Sequence, residues 1–123
     1  MKRRFDLFIR DMLEYVEKAE GFISGMSCDD FSRDEKTRLA VVRCIEIIGE
    51  AAKNIPDYVR DKYPQIPWKD MAGMRDIIAH AYFGINMSRI WDVVTVKLPP
   101  FKRHIRNVLN DISSGKTPGS DEG

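Results

Sequence analysis

Three residues near the middle of the chain, Arg75, His80 and Tyr82, have side chains suited to chemistry on a phosphodiester. The permanently charged guanidinium fork of Arg75 fits phosphate oxygens and could stabilise charge that builds on phosphorus. An imidazole changes protonation near neutral pH, so His80 could act as general base toward a ribose 2′-hydroxyl or as general acid toward the leaving oxygen. Tyr82 offers a hydroxyl for positioning and a ring on which a base could stack.

A single straight helix does not bring Arg75 and His80 side by side. At about 100° per residue they are separated by roughly 140° around the axis, whereas Arg75 and Tyr82 are nearly in register. Three arrangements could resolve this. The arginine side chain could bend round the helix, the helix could end before His80, or two copies of the chain could meet across a two-fold axis and complete each other's site.

These residues also have a purely structural interpretation. Arg75 and Asp76 could form a surface ion pair, His80 could cap a helix end, and Tyr82 could be a partly buried core ring. In the functional interpretation, Asp76 is a possible support for the site.

Two further carboxylates, Glu46 and Glu50, are possible supports that would orient Arg75 or His80. They lie on a polar stripe at helical spacing, for which a solvated, ion-paired face is the more common explanation. Both interpretations remain open at this point.

Composition and motifs exclude several other classes of function. A chain of 123 residues is the size of one domain, and a formal net charge of +1 provides no global field for nucleic acid, so any RNA contact must be local. Two histidines and two cysteines without a CxxC pattern give no metal site, and no dinucleotide-binding, P-loop or GxSxG motif occurs. We therefore expect no metal and no cofactor.

The distribution of apolar residues also bears on the location of the protein. No apolar run approaches the roughly 18 residues that a membrane span needs, and the basic start is not followed by the apolar region of a signal peptide. The lone thiols of Cys28 and Cys44 fit a reducing compartment better than a disulfide. We expect a cytoplasmic protein with no membrane contact.

Apolar residues at three- and four-residue steps predict an all-α fold with four main helices. The first begins near Phe5 and ends near Gly21. The second, over 33–53, is predicted to start at a capping box of Ser32 and Glu35. Its polar stripe is narrow, so we expect other helices of a bundle or a second subunit to cover it on most sides. The broad apolar face of this helix comprises Leu39, Val41, Val42, Ile45, Ile48 and Ala52.

The third helix is predicted from about Trp68 to Tyr82, closed by Gly84, and the last helix is capped by Asn86 or Ser88. The breadth of the apolar surface on residues 39–52 and 71–81 predicts a dimer, because four short helices can hardly cover it.

The pair Pro99-Pro100 predicts a kink or a break in the last helix. The basic residues around it form either an ordinary solvated face or a rim that binds RNA phosphates; they are Lys97, Lys102, Arg103, His104 and Arg106. Residues 1–112 are predicted to form one domain, and the polar, Gly- and Ser-rich residues 113–123 a disordered tail.

The chain resembles the HepT-like ribonuclease toxins of the HEPN superfamily (higher eukaryotes and prokaryotes nucleotide-binding). The Arg-x4-His-x-Tyr motif, RDIIAHAY, stands within a longer block that resembles the family, and the likeness extends to about residue 112. The matching segments are CIEIIGEAAK at 44–53, IPWKDMAGMRDIIAHAYFGIN at 66–86, IW at 90–91 and LPP at 98–100.

This resemblance implies a HEPN-like up-and-down helical bundle that forms a homodimer, with the motif helices of two subunits facing a shared cleft. It also implies metal-independent cleavage of RNA by 2′-hydroxyl transesterification, with Arg75 and His80 as the catalytic pair.

The resemblance further implies a partner, a small MNT-type nucleotidyltransferase that acts as antitoxin in a type II toxin–antitoxin pair. Where such an antitoxin transfers AMP to the motif tyrosine, here Tyr82, the pair is type VII-like. A bulky, anionic adenylate would block RNA at the cleft. The chain departs from many relatives at Ala81, which replaces a charged or polar residue and could affect rate or specificity.

The competing hypothesis is a non-catalytic HEPN module that binds nucleotide or a nucleotidyltransferase partner. The intact pair of Arg75 and His80 favours the enzyme, since a scaffold needs neither. A helical bundle with an incidental motif is the third possibility, and it predicts that substitution of either residue changes only stability.

Overall fold

The computed structural model describes residues 4–83 and 86–115 and consists of helices joined by short connections. In chain order these are α1 (Phe5–Phe22), α2 (Cys28–Arg33), α3 (Glu35–Lys53), α4 (Asp57–Lys62), α5 (Trp68–Phe83), α6 (Met87–Asp92), a π-helical turn (Val93–Lys97) and α7 (Leu98–Ser113). Only α1, α3, α5 and α7 are long, and no strand occurs in either described range. The predicted all-α fold with four main helices is therefore confirmed.

The long helix α3 occupies the middle of the bundle. It packs against α1 on one side and α5 on the other, and α1 also packs against α7. Full burial of one large apolar side chain stabilises a fold by roughly 1.5–3 kcal/mol, so the core is a major source of stability. Its largest fully buried side chains include Ile9, Met12, Phe31, Ile45, Ile48, Met71, Met74, Ile78, Leu98 and Ile105.

This packing corrects the premise on which the sequence predicted a dimer. Most apolar side chains of 39–52 and 71–81 that the structure describes are covered within one chain, because the short helices and α7 add surface that four helices alone would lack. Leu39 is an exception, since it is 51% exposed rather than part of the covered face.

The predicted capping box of Ser32 and Glu35 is wrong, because Ser32 lies inside the short helix α2. That helix has its own capping box: the Ser27 hydroxyl accepts from the Asp30 N–H at 3.0 Å, and the Asp30 carboxylate accepts from the Ser27 N–H at 3.1 Å. The Ser32 hydroxyl instead donates to the Cys28 carbonyl at 2.9 Å.

The residue that caps α3 is Asp34. Its carboxylate accepts from the Thr37 N–H at 3.1 Å and from the Thr37 hydroxyl at 2.8 Å. Because these hydrogen bonds favour the ionised form, they lower the pKa of the Asp34 carboxyl below its usual value.

The irregularity of the last helical run lies just before Pro99-Pro100 rather than at the prolines. Both prolines stand in the first turn of α7, where a missing N–H leaves no hydrogen bond unmade. The preceding turn is π-helical, with the Leu98 N–H donating to the Val93 carbonyl. The last helical run begins with α6, and its N-cap is Asn86, one of the two residues predicted to cap it.

Other expectations fall partly or wholly outside the described residues. Gly84 and residues 116–123 of the predicted tail lie there, while Ser113 is the last residue of α7. No helix in the described part of the chain has both the length and the apolar character needed to cross a membrane.

Candidate functional site

The motif residues lie on the outer face of α5. Its inner face is fixed by Met71, Met74 and Ile78, which are buried at three- and four-residue spacing. The intervening positions therefore point outward, and Arg75 and His80 are both exposed. Asp76 is exposed on the same face. Solvent can thus reach the side chains of both Arg75 and His80.

A close approach of α3 to α5 places a carboxylate beside Arg75. A Cβ atom on Gly49 would lie 3.4 Å from the Met71 carbonyl oxygen and 3.5 Å from the Arg75 Cβ, so α3 and α5 are within van der Waals contact distance at this point. The next residue, Glu50, accepts a hydrogen bond from Arg75, with 3.1 Å between Oε1 and Nη1. The structure thus brings together two of the residues that the sequence singled out.

The other predicted supports are placed differently. Glu46 lies one turn before Glu50 on α3 and pairs with Arg43 at 3.6 Å.

His80 lies about 7.5 Å along the axis of α5 from Arg75, and roughly 140° around it. Because α5 is continuous through Phe83, the arrangement in which the helix ends before His80 is excluded.

Tyr82 lies half-buried at the end of α5, with its ring against Phe83. The two ring centroids are 5.9 Å apart and the planes are nearly perpendicular. Phe83 itself is 83% exposed, the highest value among the large apolar side chains that the structure describes as exposed. The C-terminal end of α5 therefore presents aromatic surface beside His80.

A groove of about 360 Å³ lies next to Arg75, between α1, α3 and α5. Three candidate residues from the sequence, Glu46, Glu50 and Arg75, line this groove. The other lining residues were not among the candidates; they include Phe8, Asp11, Arg43, Ile47 and Asn54. The available signal was the helical spacing along α3, since its lining residues recur at steps of three and four. Nothing in that spacing indicates which face of α1 completes the groove.

The basic residues around Pro99-Pro100 are partly engaged within the fold. Lys102 donates to Glu20 and Arg106 donates to Glu17, each at 2.6 Å. These pairs join α7 to α1, which favours the structural interpretation of this basic segment over a rim for phosphates. Within the part of the chain that the structure describes, no group of three or more His, Cys, Asp or Glu side chains could hold a metal ion.

Similarity to known proteins identifies the family of this chain. Residues 12–108 match the family model described as ribonuclease HepT-like. The chain is 43% identical to "Putative RNase MJ0127" of Methanocaldococcus jannaschii over 98% of this chain and 96% of that protein. It is also 43% identical to "Probable ribonuclease HepT" of Thermococcus cleftensis, over 83% of this chain and 93% of that protein. No solved structure matches. This chain therefore belongs to the ribonuclease HepT-like family.

Proposed function

We propose that this protein is a metal-independent endoribonuclease and the toxin of a toxin–antitoxin pair. The observation that carries the proposal is the exposure of Arg75 and His80 on one helix, in a chain of a ribonuclease family. His80 removes the proton of a ribose 2′-hydroxyl, and the 2′-oxygen forms a bond to the neighbouring phosphorus while the bond from phosphorus to the 5′-oxygen breaks. The leaving 5′-oxygen takes up a proton from the imidazolium that has formed or from water, which restores the starting protonation state. Arg75 stabilises the charge that builds on the phosphate, so the products carry 2′,3′-cyclic phosphate and 5′-hydroxyl ends.

The active unit in this proposal is a homodimer. Arg75 is directed toward Glu50 of α3 and lies roughly 140° around the continuous helix α5 from His80, so we infer that one chain does not complete the pair by itself. Two α5 helices that cross antiparallel about a two-fold axis would bring Arg75 of one copy beside His80 of the other. The exposed ring of Phe83 on this face supports such a contact.

Mixing two inactive variants tests the shared site. Arg75→Ala and His80→Ala homodimers each lack one catalytic group, whereas a mixed dimer keeps one intact pair. Random exchange of subunits is expected to restore about a quarter of the wild-type activity, because about half of the dimers are mixed and each has one working site. No recovery after exchange, with mixed dimers demonstrated by differently tagged subunits, would contradict a site shared between copies.

The partner in this proposal is an MNT-type nucleotidyltransferase antitoxin that adenylylates Tyr82. The hydroxyl belongs to a half-buried ring at the end of α5 that carries His80, so an attached AMP group would add bulk and negative charge beside the cleft.

Tyr82→Phe is expected to retain RNA cleavage and to escape control by the antitoxin, because only the acceptor oxygen is removed. Cleavage and the intact protein mass are measured after incubation with the antitoxin and ATP. Tyr58→Phe is the matched control, since Tyr58 is 47% exposed on α4, away from the motif. Equal inhibition of Tyr82→Phe and wild type would mean that the antitoxin acts by occlusion instead.

A further inference from the structure

The groove beside Arg75 has a second set of groups that phosphate chemistry does not use. The groove begins where Glu50 holds the Arg75 guanidinium and extends along α3 past Glu46 to Arg43. This distance is seven residues, or about 10 Å along the helix axis. Its volume of about 360 Å³ lies within the range of small-molecule sites. If Arg75 contacts the scissile phosphate, as the proposed function requires, this groove receives a neighbouring part of the same RNA strand.

The charges that line the groove argue against a second phosphate there. Three carboxylates, those of Asp11, Glu46 and Glu50, stand against the guanidinium groups of Arg43 and Arg75. Each guanidinium already faces a carboxylate, at 3.6 Å for Arg43 and 3.1 Å for Arg75. A phosphate deep in this groove would have to compete with the Glu46 and Glu50 carboxylates for the two guanidinium groups, whereas a group that donates hydrogen bonds would meet acceptors.

The remaining walls fit the flat face of a base. Phe8 on α1 and Ile47 on α3 are half-buried and present apolar surface to the groove, and Ala51 is buried beside them. A base that enters between α1 and α3 can therefore contact apolar side chains with its faces while its edge meets the carboxylates.

We propose that this groove binds the guanine base of the nucleotide next to the scissile phosphate, and that Glu46 is the residue that recognises it. The Watson–Crick edge of guanine has two adjacent donors, N1–H and the 2-amino group, which match the two oxygens of one carboxylate. Glu46 suits this role because its side chain is 39% exposed and its contact with Arg43 is longer than a hydrogen bond. Glu50 is held by Arg75 instead.

The first test maps cleavage sites in an RNA pool of randomised sequence. Wild type is expected to show guanine enriched at one fixed position next to the cut. In a defined RNA, replacement of that guanine by inosine removes only the 2-amino group and is expected to lower kcat/KM about tenfold, the scale of one lost specific contact.

The variant Glu46→Gln links this preference to the groove. It keeps the size of the side chain but replaces an anionic acceptor pair, so the guanine enrichment is expected to disappear and kcat/KM for the guanine-containing RNA is expected to fall to that of the inosine-containing RNA. Glu35→Gln is the matched control, because it removes the same charge from the first turn of α3, outside the groove. Both variants are compared with wild type by circular dichroism and melting temperature.

Cleavage without base preference, or a guanine preference that persists in Glu46→Gln, would overturn this proposal and leave the ribonuclease proposal intact. If wild type cleaves no RNA, the base site is tested separately by the binding of 2′-O-methyl oligonucleotides. Tighter binding of the guanine-containing oligonucleotide than of the inosine-containing one, with the difference lost in Glu46→Gln, supports the base site. Equal binding of the two oligonucleotides by wild type overturns it. Competition by GMP as strong as that of the oligonucleotide would assign the groove to a free nucleotide and contradict a site for RNA.

Discussion

At the scale of single residues, the proposed catalytic role of Arg75 depends on how its guanidinium group is oriented. Its ion pair with Glu50 is half-exposed, with side-chain exposures of 51% and 58%, and such pairs contribute little to stability. The guanidinium has five N–H donors, so the pair fixes its orientation and leaves donors for a substrate. The contact therefore matters for positioning more than for folding.

Glu50→Gln is expected to lower kcat/KM for RNA cleavage about tenfold, because an arginine that is no longer held visits orientations that do not contact the phosphate. The free energy of unfolding should change by less than about 0.5 kcal/mol, as for other surface substitutions. Both are measured on the same preparation, by cleavage kinetics and urea unfolding. Glu14→Gln, on the exposed face of α1, is the control that should change neither. Wild-type kinetics in Glu50→Gln would show that Arg75 needs no positioning residue.

At the scale of elements, the start of α3 determines where Glu46, Gly49 and Glu50 stand relative to α5. The Asp34 cap fixes that start through two hydrogen bonds from Thr37. Because its pKa is lowered in the folded state, Asp34 stabilises the fold at pH values above its ordinary pKa of 3.8, and this contribution is lost as pH falls through the lowered value.

Asp34→Asn is therefore expected to lower the melting temperature by a few degrees at pH 7. The difference from wild type should shrink as the pH is lowered from 3.8 toward 2.5, because the carboxyl of the wild type takes up its proton as the pH falls through its lowered pKa. Thermal unfolding followed by circular dichroism at both pH values checks this. Asp61→Asn, at an exposed position in α4, controls for the loss of one carboxylate. A difference that does not depend on pH would contradict a role for the ionised cap.

The helices illustrate what local sequence determines. Apolar periodicity located all four long helices, since burial of one face dictates the spacing. It misplaced the cap of α3, because Ser32, Asp34 and Glu35 all have the chemistry of helix starts and only the formation of α2 decides among them. The prolines indicated an irregularity in the last helix. The position of the irregularity depends on which turn can do without two backbone N–H groups, and that turn is the first turn of α7.

At the scale of the whole molecule, side-chain contacts between distant segments join the elements. The Tyr63 hydroxyl donates to Asp111 at 2.7 Å, across 48 residues, and the Trp68 indole donates to the Tyr63 carbonyl at 3.0 Å. Burial and this acceptor together raise the pKa of Tyr63 above its usual value. These contacts connect the end of α7 to the segment before α5.

The candidate site shows the same division between local and global information. The types and spacing of Arg75, His80 and Tyr82 fit phosphodiester chemistry, but by themselves they did not exclude a purely structural interpretation. The pairing of Glu50 with Arg75 was one of several alternatives, because the sequence does not state which faces of α3 and α5 meet. The groove was not predictable, since Phe8 and Asp11 reach it only through the packing of α1 on α3.

The proposed function requires Arg75 and His80 to be the catalytic pair of a ribonuclease that needs no metal ion. Cleavage of end-labelled RNA in EDTA by wild type, Arg75→Ala and His80→Ala, each shown to be folded, tests this pair. We expect cleavage by wild type alone, with 2′,3′-cyclic phosphate ends. Equal cleavage by the variants, or a requirement for added divalent metal, would contradict it. No cleavage by a folded, unmodified dimer across several RNAs would indicate a binding module instead.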